Sequence, residues 1–390
     1  MLDFELCIPT KIYFGRGQCA RVGEIIASRG YRRVLICYGG GSVVRTGLLE
    51  RVKSSLDAVG VEHDEFGGIQ ANPTSERCAE LGHYARERGS ELLLAVGGGS
   101  VIDTAKMAAH CVRTGLDPWD YTEHRAEPSD SLPVGVVLTI AATGSETSDS
   151  AVLTNTALGV KRGLSSEKNR PLFAIMDPEL TMTLPPYQTA CGVVDIMAHM
   201  MERYFTRVTH VELIDRMTEG ALKTVVGNAP IVMHEPENYD ARAEIMWAGC
   251  LAHNTLFQTG RVGDWASHKL EHELSALYDI AHGAGLAIVF PAWMKYALAH
   301  DGEAKLAQFA VRVFDVPVSG DDAADAAEGI RRLEAFYRSL GLTTTLTENG
   351  IGDTDFGRMA ERAVALAGGT LGQFVPLKAA DCEAIYRLAL

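Results

Sequence analysis

The sequence predicts an α/β chain of two parts: a Rossmann-like parallel-sheet domain over residues 1–186, then an all-helical domain over 187–390. Three observations carry this. Four short runs, "RVLICY" (33–38), "LLLAV" (92–96), "VGVVLTI" (134–140) and "LFAIMD" (172–177), are apolar at consecutive positions, as strands covered on both faces must be. Segments of helical periodicity lie between them. After Pro185-Pro186 β-type runs give way to helical repeats.

Taken in order, "SERCAELGHYARER" (75–88) and "SVIDTAKMAAHCV" (100–112) read as crossover helices with charged outer faces. In the second half, "GVVDIMAHMMERYF" (192–205) and "ARAEIMWAGCLAHNTLF" (241–257) are helical. "GAGLAIVFPAWM" (283–294) is too short to span a membrane, which needs roughly 18 residues, and Pro291 interrupts it. It is expected to be a buried helix. "HEPENYD" (234–240) and "VSGDDAADAAE" (318–328) are polar connectors or helix starts, and no internal repeat or low-complexity tract is found.

The totals exclude several classes. Of 390 residues, 47% are hydrophobic and 22% charged, the balance of a globular protein. Thirty-six Lys plus Arg against 50 Asp plus Glu give a net charge of −14, which disfavours nucleic acid or an anionic membrane as the main partner. Eight cysteines without a C-x-x-C pair read as reduced thiols, and "MLDFELCIPTK" lacks the features of a secretory leader. A cytoplasmic location is expected.

Three turns follow predicted strands. In "LLLAVGGGSVIDTAK" (92–106) the glycines around Gly98 and Gly99 let the backbone approach a ligand, and the new helix offers N–H groups to a pyrophosphate. The plain alternative is a strand-to-helix turn with Ser100 as N-cap and Asp103 closing a box-like cap. "VLICYGGGSVVRTG" (34–47) ends its strand without the acidic residue that would hold an adenosine ribose 2′-hydroxyl. Gly40, Gly41 and Ser42, with Arg45 nearby, favour NADP(H) over NAD(H). "TIAATGSETSDSAVLTN" (139–155) is a hydroxyl-rich loop able to wrap a phosphate or a nicotinamide, or a solvated turn.

"HKLEHELSALYDIAHG" (268–283) raises the question of a metal. His268, Glu271 and His272 spell H-x-x-E-H, the inverted zinc-peptidase pattern, with Glu271 as its general base. That reading leaves both glycine turns and a second pair, Asp195 and His199 one helical turn apart, without a role. Asp195, His199, His268 and His282 instead form a set of one carboxylate and three imidazoles that suits zinc or ferrous iron. His272 is then the extra histidine, beside the metal, where a proton can pass to solvent.

With these motifs assembled, the chain resembles the iron-containing alcohol dehydrogenases, and within them the NADPH-dependent butanol dehydrogenase or aldehyde reductase branch. "YGGGSV", "AVGGGSVIDTAK", "TGSE", "GVVDIMAH" and "GDWASHKLEHELSALYDIAHGAGLAI" occur in order. The resemblance implies a dehydroquinate synthase-like architecture and metal ligands at Asp195, His199, His268 and His282, with His272 as the neighbouring histidine. It puts the pyrophosphate loop at Gly98, Gly99, Ser100 and Asp103, and the 2′-phosphate site at Gly40, Gly41 and Ser42. Thr139, Thr143 and Ser145 fall on its hydroxyl loop, and Lys161 near the nicotinamide-side ribose. It implies reversible interconversion of primary alcohols and aldehydes in the cleft between the domains, one bound Fe2+ or Zn2+, and a homodimer. Two sister activities, a polyol dehydrogenase and a metal-dependent cyclising synthase, are the alternatives on the same fold.

Overall fold

The computed structural model describes all 390 residues, which divide into two compact units, Cys7–Thr183 and Leu184–Leu390, the latter joined by Met1–Leu6. The first six residues therefore leave the α/β domain to which the sequence reading assigned them. The Met1 amino group bonds the Thr209 carbonyl at 2.8 Å, and the Leu2 N–H bonds the Gly260 carbonyl.

In Cys7–Thr183 the strands are β1 (Lys11–Phe14), β2 (Arg33–Gly39), β3 (Glu62–Ile69), β4 (Leu92–Gly97), β5 (Val134–Leu138), β6 (Ser150–Asn155), β7 (Val160–Ser165) and β8 (Phe173–Met176). Six form a parallel sheet in the order β1-β8-β5-β4-β2-β3. β4, β5 and β8 are buried throughout, as their uninterrupted apolar runs require. The sequence reading lacked β3, an edge strand whose "EHDEFGGI" carries charge on its open side, and the antiparallel β6–β7 hairpin.

Helices α1 (Val22–Ala27), α2 (Ser42–Arg45), α3 (Leu48–Asp57), α4 (Ser75–Glu87), α5 (Gly99–Thr114) and α6 (Pro118–Thr122) complete this unit. From β2 the chain moves outward to β3, returns past β2 to β4, and continues the other way to β5. β2 and β4 thus flank the switch point, and a ligand crevice forms outside the carboxyl ends of such strands. Both glycine stretches begin there.

The second unit holds α7 (Pro186–Tyr204), α8 (Glu212–His234), α9 (Tyr239–His253), α10 (Ala266–Tyr278), α11 (His282–Leu298), α12 (Glu303–Phe314), α13 (Asp322–Ser339), α14 (Phe356–Leu366) and α15 (Ala379–Leu388). It contains no named strand. Asn238 caps α9 by accepting from the Ala241 N–H, and Asp321 caps α13 by accepting from Ala323 and Ala324. The stretch from Gly283 to Met294 is buried within α11, Pro291 included. A Cβ on Gly283 would lie 2.1 Å from the Cys191 carbonyl oxygen, so only glycine lets the start of α11 press onto α7. No helix is long and apolar enough to cross a membrane.

Candidate functional site

The glycine turn after β4 opens α5 at Gly99, with Gly98 as N-cap and no side chain capping it. The expected cap by Ser100 and Asp103 does not form, because the helix starts one residue earlier and Asp103 is engaged elsewhere. Its Oδ1 accepts from the Ser145 hydroxyl at 2.5 Å and its Oδ2 from the Val152 N–H at 3.0 Å. Asp103 therefore anchors the hydroxyl loop. Ser145 is tied down with it, also accepting from Lys106 Nζ at 2.9 Å. Gly98 and Gly99 lie directly under that loop: a Cβ on Gly98 would be 2.1 Å from Ile140 Cγ2, and one on Gly99 2.6 Å from Thr143. The Thr139 N–H bonds the Gly97 carbonyl at 3.0 Å, and Thr143 Oγ1 accepts from the Ser145 N–H.

Lys106 is a residue the sequence reading missed. Fully buried on α5, it donates to Ser145 Oγ, to both the carbonyl and hydroxyl oxygens of Ser148, and to the Ser150 carbonyl. Burial pushes its ammonium down to about 8, against the pull of Asp103 and Glu146. A buried lysine one turn beyond Asp103 is the signal that could have revealed it. Lys161, on β7, bonds Asn72 Oδ1 at 3.1 Å, and its charge reaches Asp103.

At the end of β2, Gly41 has φ +106° and serves as N-cap of α2, with its Cβ position 3.5 Å from the Arg45 guanidinium. Gly40 has open space around its Cβ position, and Ser42 is exposed. Tyr38, where a dinucleotide fold could carry an acid, donates its hydroxyl to Glu65 of β3 at 3.2 Å, and Glu65 pairs with Lys53 at 2.9 Å. The nearby carboxylate stays ionised and is paired with the Lys53 ammonium.

In the helical unit, α7, α10 and α11 bring Asp195, His268 and His282 into one group, and His199 lies beside it against Asp195. Asp195 Oδ1 lies 3.3 Å from His199 Nε2, 3.9 Å from His268 Nε2 and 3.7 Å from His282 Nε2. Ligand atoms of Asp195, His268 and His282 all fall within 4.8 Å of one another. The "HKLEHELSALYDIAHG" segment is two helices: α10 carries His268 and His272 and ends at Tyr278, while His282 begins α11.

Carboxylates behind the rings decide which nitrogen faces inward. His268 Nδ1 donates to Glu202 Oε1 at 2.8 Å, and His282 Nδ1 donates to Glu271 Oε2. Carboxylates in that position fix the tautomer, leave the Nε2 lone pair forward and raise its basicity. His268 Nε2 is buried without a hydrogen-bond partner, an arrangement that costs free energy unless a cation takes the lone pair. Burial, then the neighbouring His253 and His268, hold His199 well below the usual imidazole range, so it stays neutral. These donors fit a divalent transition-metal ion.

Glu202 also accepts the His268 backbone N–H at 2.9 Å and the Trp265 N–H, replacing the side-chain cap that α10 lacks. Trp265 is held at φ +64°, a conformation rarely tolerated by so large a side chain. The sequence offered one hint of Glu202, a glutamate inside the apolar "HMMERYF". Glu271, fully buried, accepts from His282 and from the Ser275 hydroxyl. Its engagement behind His282 counts against Glu271 as the general base of a peptidase. His272 is half-buried on α10, its ring centroid 5.5 Å from that of His282.

Comparison with known proteins agrees with this chemistry. Residues 9–178 match the model of the iron-containing alcohol dehydrogenases, and residues 189–390 that of the family's C-terminal domain. A probable NADH-dependent butanol dehydrogenase of Bacillus subtilis is 41% identical over 391 residues, covering 100% of both chains. The NADPH-dependent aldehyde reductase YqhD of Escherichia coli is 41% identical over 356 residues, covering 90% of each. The crystal structure of NADH-dependent butanol dehydrogenase A from Thermotoga maritima superposes with a TM-score of 0.96 at 37% identity, covering 100% of this chain and 99% of that one.

Proposed function

Since the chain belongs to the iron-containing alcohol dehydrogenase family, we propose that it interconverts primary alcohols and aldehydes with NADP(H), working chiefly as an aldehyde reductase of the butanol dehydrogenase kind. The observation that carries the reading is the donor set of Asp195, His199, His268 and His282, two of whose rings are oriented from behind by Glu202 and Glu271. A bound divalent ion, Fe2+ or Zn2+, supplies Lewis-acid polarisation of the carbonyl, and the nicotinamide supplies the hydride.

The chain's own residues do the rest. Gly98, Gly99 and Ser100 receive the pyrophosphate at the uncapped start of α5, while Asp103, Ser145 and Lys106 keep the hydroxyl loop with Thr139 and Thr143 in place. Lys161 serves the nicotinamide-side ribose. His272, half-buried beside His282, passes the proton between the product alkoxide and solvent. NADP(H) is favoured because Gly40, Gly41 and Ser42 leave room for a 2′-phosphate beside Arg45, and Glu65 is paired with Lys53. The named relatives divide between NADH and NADPH, so the cofactor is the part to test. Wild type is expected to bind NADPH more tightly than NADH, and Arg45→Ala to lose most of that difference. Equal binding of both cofactors by wild type would overturn the NADP assignment. A homodimer is proposed from the open edge of β1 and from the exposed Met1, Leu2, Phe4, Leu6 and Ile8 ahead of it. A cytoplasmic location is proposed with it.

A further inference from the structure

His282, the first residue of α11, stands between two histidines of α10: its ring centroid is 5.4 Å from that of His268 and 5.5 Å from that of His272. Each of its nitrogens faces a carboxylate. Nε2 lies 3.7 Å from Asp195 Oδ1, and Nδ1 donates to Glu271 Oε2. The ring therefore has two like sides. On the first, Asp195 and His268 belong to the metal centre described above. On the second, ligand atoms of Glu271, His272 and His282 again fall within 4.8 Å of one another.

Two imidazoles and one carboxylate form a set that holds a divalent transition-metal ion and leaves positions to water. Donors on one ion at roughly 2.0–2.2 Å stand about 3–4.4 Å apart, so a small inward shift of His272 closes the group. The second side is also the more open one. The side chains of Asp195 and His268 are 3% and 5% exposed, whereas that of His282 is 22% exposed and His272 is half-buried.

We propose that Glu271, His272 and His282 form a second, weaker position for a divalent transition-metal ion, which fills when the ion is in excess and halts proton passage through His272. The inference rests on the metal-enzyme reading above. An ion entering there displaces the Nδ1 proton of His282 to solvent and replaces it as the partner of Glu271 Oε2, while Ser275 keeps Oε1. An imidazole that has lost both protons holds one ion at each nitrogen, so the two positions fill together through the shared ring. The second is weaker because it has fewer protein donors and because two like charges repel across His282. His272, once bound through a ring nitrogen, has no lone pair left to take a proton. The H-x-x-E-H spelling of α10 is then accounted for without a peptidase: His268 serves the first position, Glu271 and His272 the second.

The test titrates the full-length chain with Zn2+, wild type against His272→Ala, counting bound ions by equilibrium dialysis and following aldehyde reduction with NADPH in the same samples. Wild type is expected to take two equivalents, the second more weakly, and to lose most of its turnover as the second binds. His272→Ala is expected to keep the first equivalent and lose the second. A single equivalent in wild type, or a second that survives in His272→Ala, would overturn the inference and leave the metal-enzyme reading standing. Full turnover with both equivalents bound would overturn the block on proton passage. Loss of the first equivalent in His272→Ala would put His272 in the primary centre and overturn the division into two positions. Two bound ions in a wild type that reduces no aldehyde at any loading would sink the reductase reading alone, and failure to hold even one ion would sink both.

Discussion

Glu202→Gln isolates the part of the metal centre that no ligand list contains. The carboxylate accepts three hydrogen bonds: from His268 Nδ1 at 2.8 Å, the His268 N–H at 2.9 Å and the Trp265 N–H. An amide keeps one acceptor oxygen and turns its NH2 group toward a donor. A charge-assisted bond is worth roughly 1.5–3 kcal/mol, and a stranded buried donor costs roughly 1–3 kcal/mol. Because part of the first is lost with the second, the metal-free variant should be less stable than wild type by about 2–4 kcal/mol. Losing the partner behind a ligating histidine typically weakens metal affinity about 10–100-fold. Denaturant unfolding in the presence of chelator reads the first effect, and zinc binding by competition reads the second. If zinc affinity stays within twofold of wild type while the protein is destabilised, Glu202 only caps α10, and the account of how His268 is oriented is wrong.

Other predictions follow from neighbouring contacts. Glu271→Gln should weaken zinc about tenfold by loosening His282, and zinc affinity equal to wild type would count against that support. Gly98→Ala, whose new methyl would meet Ile140 Cγ2 at 2.1 Å, should cost about 1–3 kcal/mol by overpacking and reduce NADPH affinity. Calorimetric titration that finds wild-type NADPH affinity would contradict the placement of the pyrophosphate loop. Lys106, ordinarily at 10.5, is pushed down to about 8 by burial, so folding favours its neutral form. Its contribution is present above 10.5 and is lost as pH falls through 8, up to about 3 kcal/mol in all. The stability of wild type relative to Lys106→Met should therefore rise between these limits, and a pH-independent difference would refute it.

Much of the fold was readable because burial on two faces leaves its mark on composition. β4, β5 and β8 are apolar at nearly every position, and helical period marks α4, α5, α7 and α9. β3 and the β6–β7 hairpin escaped because edge and half-exposed strands need no such runs. Asp195 and His199 stood out through their one-turn spacing in an apolar helix. Glu202 did not, since its partner His268 lies 66 residues away and only tertiary packing brings them together. Asp103 was visible as an acid in the first turn of a helix, but its contacts with Ser145 and Val152, across more than 40 positions of sequence, could not be read from local pattern.

The most direct test of the central claim is the oxidation of NADPH by butanal, followed by near-ultraviolet absorbance in protein first stripped and then reloaded with one equivalent of Fe2+ or Zn2+. The account predicts turnover that vanishes on stripping, returns on reloading, and is absent in Asp195→Ala. Protein shown to hold its metal yet unable to oxidise either NADPH or NADH with an aldehyde would contradict it, and would direct attention to the sister activities of the same fold.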